Sequence, residues 1–361
     1  MKTVPSSKLE EDRDIVIQLP AGYETNTEKE YPVIIVLDGN YLFEPVAGNV
    51  DYYSYWDEIP ESIVVGVNQT STRQEDCLYD DQRFLPVRTG AAFFEFLGME
   101  LMPYIDKNYR TADYSVVAGH DLTANFASYY LLKEDYLFDA YINLSPDFAP
   151  EMAGRLYNAL STTEAPVWFY LATSAGDVPF IREACVALNE QLQGIENENF
   201  HYTFSKFEEG THYSMVGNAI PDALISIFEA YRPITTQEYE TKIVNNPEVS
   251  PYDFLLKKYE VIEEYYHLET PIRTNDFLAI GKALEFNQNW DDLEKLGKLA
   301  QEHYPNSMLG TYYIARSLEA MGKPRKAMET YQMGYGKEEI AFLTVDFMLG
   351  KAKLIKEDFG Y

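Results

Sequence analysis

A short turn between a strand pattern and a helical pattern holds the residues best placed to do chemistry. Gly119-His120-Asp121-Leu122-Thr123 follows a β-branched run and leads directly into a helical pattern. A turn of this kind lifts its central side chain above a sheet, at the N-terminus of a helix. Gly119 suits the close approach of strand and helix, and Asp121 tolerates the positive φ that the central position often needs. The branched Cβ of Thr123 is expected to crowd its position.

His212 is the predicted base. It lies in a glycine-containing loop after the strand pattern at Tyr202-Thr-Phe204, beyond the turn in chain order. The order of turn, acidic loop and histidine favours a catalytic position over a hydrogen-bonded loop residue. The supporting acid stays open between Asp177, which follows the strand ending at Ala172, and Asp147, which follows the preceding strand. For each of the two, a solvated loop aspartate is an equal alternative.

Alternating strand and helix patterns must position these side chains. Val33-Ile-Ile-Val-Leu37 is an unbroken β-branched run typical of a strand buried on both faces, whereas residues 13–19 alternate like a half-exposed strand. The strand-helix-strand order predicts a mostly parallel sheet with helices on both faces. Ligands bind such sheets at the carboxyl ends of the strands, which places Asp121 and His212 at the same edge.

The chain past Pro233 loses its strand pattern and becomes helical. Trp290 and Pro324, and likewise Leu293 and Ala327, lie 34 residues apart, the period of a tetratricopeptide unit. Two copies are fewer than a free-standing solenoid needs, so this tail is expected to rest on the first domain or on another chain. A plain helical cap and a protein-docking role are equal alternatives. The predicted organisation is a first domain at 1–232, a linker at 233–249 and a helical, tetratricopeptide-like domain at 250–361.

Charge and composition narrow the range of partners. Lys+Arg 29 against Asp+Glu 58 gives a net charge of −29, which repels nucleic acid and anionic membrane surfaces. No apolar run reaches the roughly 18 residues of a membrane helix, so no membrane insertion is expected. The protein is expected in the cytoplasm, or in the periplasm or outside the cell if a leader was removed. Cys77 and Cys185 lack the spacing of a disulfide framework or a metal site, and no metal or other cofactor is expected.

Several spaced motifs follow one another in order over about residues 7–230. They are Tyr31-Pro-Val-Ile-Ile-Val-Leu-Asp-Gly39, Arg73 and Asp76 after Val64-Val-Gly-Val67, Phe96-Leu97, Glu100-Leu101, Pro103-Tyr-Ile-Asp106, Tyr109-Arg-Thr111, Ser145-Pro146 and Gly210-Thr-His-Tyr-Ser214. In this order they resemble the enterochelin-esterase-like and esterase-D-like branch of the α/β-hydrolases. The fold implied is the α/β-hydrolase fold, followed here by the all-helical C-terminal region. Members of the branch resemble one another in a Gly-His-Ser-x-Gly-Gly elbow, the turn that carries the nucleophile, whereas this sequence has Gly-His-Asp-Leu-Thr-Ala from Gly119.

The resemblance also implies roles for single residues. It puts Asp121 where the nucleophilic serine would be, His212 where the catalytic histidine would be, and Asp177 in the usual acid loop. The remaining residues implied for the oxyanion hole and the pocket are Gly39, Asn40, Tyr41, Leu122 and Asp147.

An aspartate in the nucleophile position changes the expected chemistry. A carboxylate that attacks an ester carbonyl forms a reactive anhydride, which disfavours ordinary esterase action. Gly119-His-Asp121 alone resembles the elbow of haloalkane dehalogenases and epoxide hydrolases, but the sequence has neither their cap domain nor their His-Gly-x-Pro motif. We therefore predict a non-catalytic or weakened hydrolase that binds a small molecule in its pocket or a protein through its tail. The alternatives are a hydrolase of carbon-halogen or epoxide substrates, with Asp121 as nucleophile and His212 as base, and a conventional carboxylic-ester hydrolase.

Overall fold

The computed structural model describes residues 1–246 and 248–361, which fall into two compact units. The first unit comprises residues 1–231 and 265–268, and the second comprises residues 232–264 and 269–361. The stretch predicted as a linker at 233–249 contains two short helical segments, and its residue 247 lies outside the described residues.

A single sheet of eight strands forms the centre of the first unit, as far as the chain is described. The strands are β1 (Lys2–Pro5), β2 (Asp12–Gln18), β3 (Tyr31–Val36), β4 (Ile63–Val67), β5 (Thr111–His120), β6 (Ala140–Leu144), β7 (Val167–Gly176) and β8 (Phe200–Thr211). They lie in the order β1-β2-β4-β3-β5-β6-β7-β8. The first two pairs are antiparallel and the other five are parallel. This confirms the predicted, mostly parallel sheet.

The unbroken apolar runs occupy the middle of this sheet. Every residue of β3, β4 and β6 is buried, as expected for strands with helices on both faces. β1, at one edge, was not predicted, because a strand of four residues carries too little pattern.

The helices of the first unit follow the strands as crossover connections. They are α1 (Gly39–Tyr55), α2 (Arg73–Asp76), α3 (Thr89–Phe96), α4 (Met102–Asn108), α5 (Leu122–Ser128), α6 (Met152–Ser161), α7 (Pro179–Leu192) and α8 (Val216–Ile227). A π-helical turn, Leu97–Leu101, joins α3 to α4. The apolar face of this long helical stretch is buried at Phe93, Leu97, Leu101 and Ile105.

The second unit is helical, which confirms the all-helical C-terminal region. Its helices are α9 (Thr236–Glu238), α10 (Pro251–Tyr266, whose last two residues belong to the first unit), α11 (Thr274–Phe286), α12 (Trp290–His303), α13 (Leu309–Ala320), α14 (Pro324–Gln332) and α15 (Val345–Phe359). A π-helical segment, Tyr239–Val244, follows α9. None of the helices in residues 1–246 and 248–361 has the length and apolar character that a membrane span requires.

The 34-residue spacing coincides with helix starts in the second unit. Trp290 and Pro324 are the first residues of α12 and α14, the second members of the helix pairs α11–α12 and α13–α14. Glycines allow α12 and α13 to pack closely, because a Cβ added to Gly310 would lie 2.4 Å from the carbonyl oxygen of Gly297.

We expect Gly119→Ala to destabilise the protein, because β5 and α5 approach each other at this glycine. A Cβ at position 119 would lie 2.6 Å from the amide nitrogen of Ala124 and 2.7 Å from the backbone of Thr123. Overpacking of this kind costs about 1–3 kcal/mol. Gly154→Ala in α6, where no atom lies within 4 Å of the added Cβ, is the control. It should leave the free energy of unfolding in urea unchanged or raise it by up to about 1 kcal/mol. Equal stability of the two variants would contradict the close approach.

Candidate active site

The ends of parallel strands bring the candidate residues to one edge of the sheet. Asp38 follows β3, Asp121 follows β5, Ser145 follows β6, Asp177 follows β7 and His212 follows β8. In a parallel sheet these carboxyl ends share one edge, which is where such folds bind ligands. Candidate residues separated by up to 174 positions in the sequence (38 to 212) therefore lie in one cluster.

Asp121 occupies the turn between β5 and α5 in the conformation expected for an elbow. Its φ is 59° and its ψ is −118°, in a region that non-glycine residues seldom adopt. Its amide donates to the carbonyl oxygen of Leu144 at 3.0 Å, which anchors the turn to β6. Its side chain is 22% exposed, so the carboxylate is reachable from solvent.

Thr123 stabilises this turn instead of crowding it, which corrects the expectation from the sequence. Its hydroxyl oxygen accepts a hydrogen bond from the amide of His120 at 3.0 Å and donates to Oδ2 of Asp38 at 2.7 Å. The side chain is fully buried, so the hydroxyl satisfies two buried polar groups at once. The tight contact lies at Gly119, whose added Cβ would clash with the backbone of Thr123.

His212 is held by a buried carboxylate. Its Nδ1 donates to Oδ1 of Asp177 at 2.8 Å, and the hydroxyl of Ser145, 2.9 Å from the same nitrogen, donates to Oδ2 of Asp177 at 2.5 Å. The Thr173 hydroxyl and the Val178 amide also donate to Asp177. These hydrogen bonds lower the pKa of Asp177 well below its usual range in spite of its burial. The hydrogen bond to Asp177 in turn raises the pKa of His212.

Of the two acids left open by the sequence, Asp177 is the one hydrogen-bonded to His212. The backbone amide of Asp147 instead donates to the carbonyl oxygen of Asp121 at 3.3 Å. Partial burial, with the negative charge of Asp121, raises the pKa of Asp147.

Arg73 links the elbow to the loop after β3. Its guanidinium binds the fully buried carboxylate of Asp38 through Nε at 2.7 Å and through a terminal nitrogen at 3.1 Å. The other terminal nitrogen donates to Oδ2 of Asp121 at 3.2 Å. The remaining oxygen of Asp121, Oδ1, faces Nε2 of His212 at 3.9 Å. Asp121 therefore lies between a permanent cation and a histidine whose charged form is favoured.

A second buried ion pair stabilises α2, the short helix that carries Arg73. Arg13 on β2 binds both oxygens of Asp76 on α2, at 2.6 and 3.0 Å. Gln69 donates to Asp76 at 3.1 Å and accepts from the amide of Asp38 at 2.9 Å. Since α2 has only four residues, these contacts fix the helix that carries Arg73.

His120 and Tyr41 close the cluster beside the elbow. Nε2 of His120 donates to the carbonyl oxygen of His212 at 3.1 Å. The Tyr41 hydroxyl donates to Oδ2 of Asp38 at 2.9 Å, and its oxygen lies 3.0 Å from Nδ1 of His120. Burial and the neighbouring His212 lower the pKa of His120 to about 4, so the ring is neutral at physiological pH.

The residues implied for an oxyanion hole lie at helix starts near Asp121. Gly39 and Asn40 begin α1 and Leu122 begins α5, where the first amides have no partner within the helix. Glycine is required at position 39, because an added Cβ would lie 2.7 Å from the backbone of Gly66 and Val67.

Asp38, Arg73 and Ser145 were assigned no role from the sequence. Each of them belonged to a motif of the family resemblance, and each follows the end of a buried strand. That position was the available signal, whereas the pairing of Arg73 with Asp38 and Asp121 depends on distances that no spacing encodes. Within the described part of the chain, no group of three or more His, Cys, Asp or Glu side chains is arranged to hold a metal ion.

We expect the imidazole of His212 to titrate above its ordinary pKa of 6.5, because Asp177 stabilises the charged ring. This interaction stabilises the fold fully below pH 6.5 and is lost as pH rises through the raised pKa of the folded state. The lowered pKa of Asp177 stabilises the fold above the unfolded value and is lost in acid. NMR titration should show the His212 pKa falling in Asp177→Asn. An unchanged His212 pKa in that variant would contradict the assignment.

Comparison with known proteins identifies the family. Residues 6–212 match the sequence profile of the esterase family, described as "Putative esterase". This match spans more than half of the 361 residues, so the chain belongs to the esterase family. A comparison with curated proteins gave no match.

Solved structures share the fold. An uncharacterised protein from Capnocytophaga ochracea DSM 7271 is similar over 99% of both chains, with 28% identity and a TM-score of 0.88. An IroE-like serine hydrolase from Shewanella oneidensis is similar over 83% of this chain and 98% of its own, with 19% identity and a TM-score of 0.63. The enterobactin esterase from Shigella flexneri is similar over 63% of this chain and 58% of its own, with 19% identity and a TM-score of 0.50.

Proposed function

We propose that this chain is a weakened or non-catalytic member of the esterase family that binds a small-molecule ligand at the site around Asp121. The pairing of Asp121 carries the proposal. One carboxylate oxygen binds Arg73 at 3.2 Å, and the other faces His212 Nε2 at 3.9 Å, at the turn where similar esterases carry a nucleophilic serine. The hydrogen bond between Asp177 and His212 supports their assignment as the acid and histidine of a triad, in which Asp121 takes the place of the hydroxyl nucleophile.

The chemistry of a carboxylate at this position disfavours acyl transfer. Serine forms an ester intermediate that water hydrolyses, whereas a carboxylate would form a high-energy anhydride. Arg73 stabilises the carboxylate and so reduces its nucleophilicity further. Asp177 and Asp121 both favour the protonated form of His212, and this leaves less of the neutral imidazole that can act as a base.

Turnover of p-nitrophenyl acetate and butyrate tests this proposal. We expect kcat/KM well below about 10⁴ M⁻¹s⁻¹, the lower end of the usual enzyme range, because no stable acyl-enzyme can form. Turnover within that range, abolished by Asp121→Ala, would establish a conventional carboxylic-ester hydrolase and contradict the proposal.

One observation favours a second candidate, in which Asp121 is the nucleophile for a carbon-halogen or epoxide substrate. Within the described residues, Oδ1 of Asp121 accepts no hydrogen bond and faces Nε2 of His212. His212 would then activate the water that hydrolyses the alkyl ester intermediate. Halide release from 1,2-dibromoethane, or diol formation from styrene oxide, would support this candidate. No product above the level of Asp121→Asn would exclude it for these substrates.

We infer that the helical region at 250–361 is tetratricopeptide-like and serves in protein docking. Two helix pairs whose second helices begin 34 residues apart, at Trp290 and Pro324, support this inference. A partner captured by the full chain should not be captured by a chain ending at residue 268, which keeps the whole of the first unit. Equal capture by both would place docking on the first domain instead.

A further inference from the structure

We propose that the site retains a direct hydrolytic activity, in which a water held between Asp121 Oδ1 and His212 Nε2 attacks an ester carbonyl without a covalent intermediate. This activity rests on the proposed function in one respect, because an ester must first bind at the site around Asp121. This mechanism differs from the esterase mechanism because no side chain becomes acylated. It differs from the aspartate-nucleophile alternative because Asp121 forms no covalent bond and therefore keeps both of its carboxylate oxygens.

The separation of the two groups fits one bridging oxygen. The 3.9 Å between Asp121 Oδ1 and His212 Nε2 is too long for a direct hydrogen bond. An oxygen atom about 2.8 Å from each, the usual length of such bonds, spans this distance with an angle near 90°. Side-chain exposures of 22% and 10% keep the position accessible from solvent while most of its surroundings are protein.

The hydrogen-bonding capacity of the two groups matches a nucleophilic water. Asp177 accepts the Nδ1 proton of His212, so the neutral ring presents the lone pair of Nε2 towards Asp121. Arg73 engages Oδ2 of Asp121, which leaves Oδ1 as an acceptor. A water can therefore donate one hydrogen to Nε2 and the other to Oδ1. Its own lone pairs then point away from both groups, towards a bound carbonyl carbon.

The reaction balances without a further reagent. The water oxygen bonds to the carbonyl carbon, its proton passes to Nε2 of His212, and the electron pair of the C=O bond moves to the carbonyl oxygen. The carbon–alkoxy oxygen bond then breaks as that electron pair returns, and His212 gives the proton to the departing oxygen. The products are a carboxylic acid and an alcohol. Asp121 holds the water and faces the charge that develops on His212.

The first test compares p-nitrophenyl acetate hydrolysis by full-length wild type, Asp121→Asn and His212→Gln. A positioned general base contributes about 10²–10⁴-fold, and we expect both variants to lose roughly 10²-fold from the wild-type rate. Asp113→Asn, an exposed acid on the same strand, is the matched control and should keep that rate.

The wild-type rate of hydrolysis should also rise with pH as His212 loses its proton. The charged or titratable groups facing His212 are Asp177, Asp121, His120, Arg73 and Asp147.

The second test follows the oxygen atoms in wild type and needs no variant. A single turnover in H₂¹⁸O should place ¹⁸O in the released acetate and leave the tryptic peptide containing Asp121 unlabelled. Label in that peptide would overturn the proposal in favour of covalent catalysis by Asp121. A wild-type rate no higher than that of folded Asp121→Asn would also overturn it, while leaving the proposed binding function intact. Turnover at ordinary esterase rates would instead contradict the proposed function.

Discussion

Asp121→Ser should raise kcat/KM on short p-nitrophenyl esters by about 10²-fold or more over wild type, because the elbow then carries a hydroxyl that can form an ester intermediate. The substitution replaces a carboxylate 3.9 Å from His212 Nε2 with the hydroxyl that the family resemblance implies at this position. An oxyanion-hole donor contributes roughly 3–4 kcal/mol to the transition state, so even a partly formed hole gives a measurable rate.

Two further variants make this prediction specific. His212→Ala in the serine background should abolish the gain, since the hydroxyl then loses its base. If none of the folded serine variants hydrolyses esters of any acyl length, the pocket has lost the esterase geometry, and binding or a scaffold role remains.

Thr123 provides a matched pair of variants in the same background. The family resemblance implies glycine at positions 123 and 124, where this sequence has Thr123 and Ala124. The structure reverses this expectation, because Thr123 satisfies both the His120 amide and buried Asp38. Asp121→Ser with Thr123→Ser keeps the hydroxyl and should retain the gain. Asp121→Ser with Thr123→Gly lacks this hydroxyl, so the variant should hydrolyse esters more slowly and be less stable. A glycine variant faster than the serine variant would show that crowding is the dominant effect.

Arg73→Met should destabilise the protein by about 3–5 kcal/mol, because it leaves the buried carboxylate of Asp38 without its cation. Asp38 is fully buried and receives two hydrogen bonds from Arg73, at 2.7 and 3.1 Å. The free energy of unfolding in urea measures the effect. Adding Asp38→Asn should recover part of the loss, because that pair then has no unpaired buried charge.

An exposed arginine supplies the control for this prediction. Arg325 pairs with Glu329 at 3.4 Å, but its side chain is 76% exposed. Arg325→Met should therefore cost less than about 0.5 kcal/mol. Equal losses from Arg73→Met and Arg325→Met would mean that the pair with Asp38 does not stabilise the fold.

The sheet was predictable because its central strands are long apolar runs. β3, β4 and β6 are buried throughout, and short apolar runs of this kind are typical of parallel strands with helices on both faces. α1 was missed, since its exposed face carries Tyr52 and Tyr55, which blur the helical period, and it contains Pro45. The order of strands in the sheet also had to come from the structure, because crossover connections leave several orders open.

The site was predictable where a residue follows a strand, and unpredictable where two distant side chains meet. The positions of Asp121, Asp177 and His212 follow from strand ends, which is why the sequence could nominate them. The choice of Asp177 over Asp147 depended on a contact of 2.8 Å with His212. The compensating role of Thr123 depended on its hydroxyl reaching Asp38, which lies 85 residues earlier in the chain.

The proposal that Asp121 stands in the place of a serine nucleophile is tested most directly by intact-protein mass spectrometry after treatment with a fluorophosphonate. This reagent phosphonylates an activated serine, so wild type should show no adduct. Asp121→Ser should gain a single adduct that disappears in Asp121→Ser with His212→Ala. A stoichiometric adduct on wild type, mapped to any serine of this cluster such as Ser145, would contradict the proposal that the site lacks a hydroxyl nucleophile.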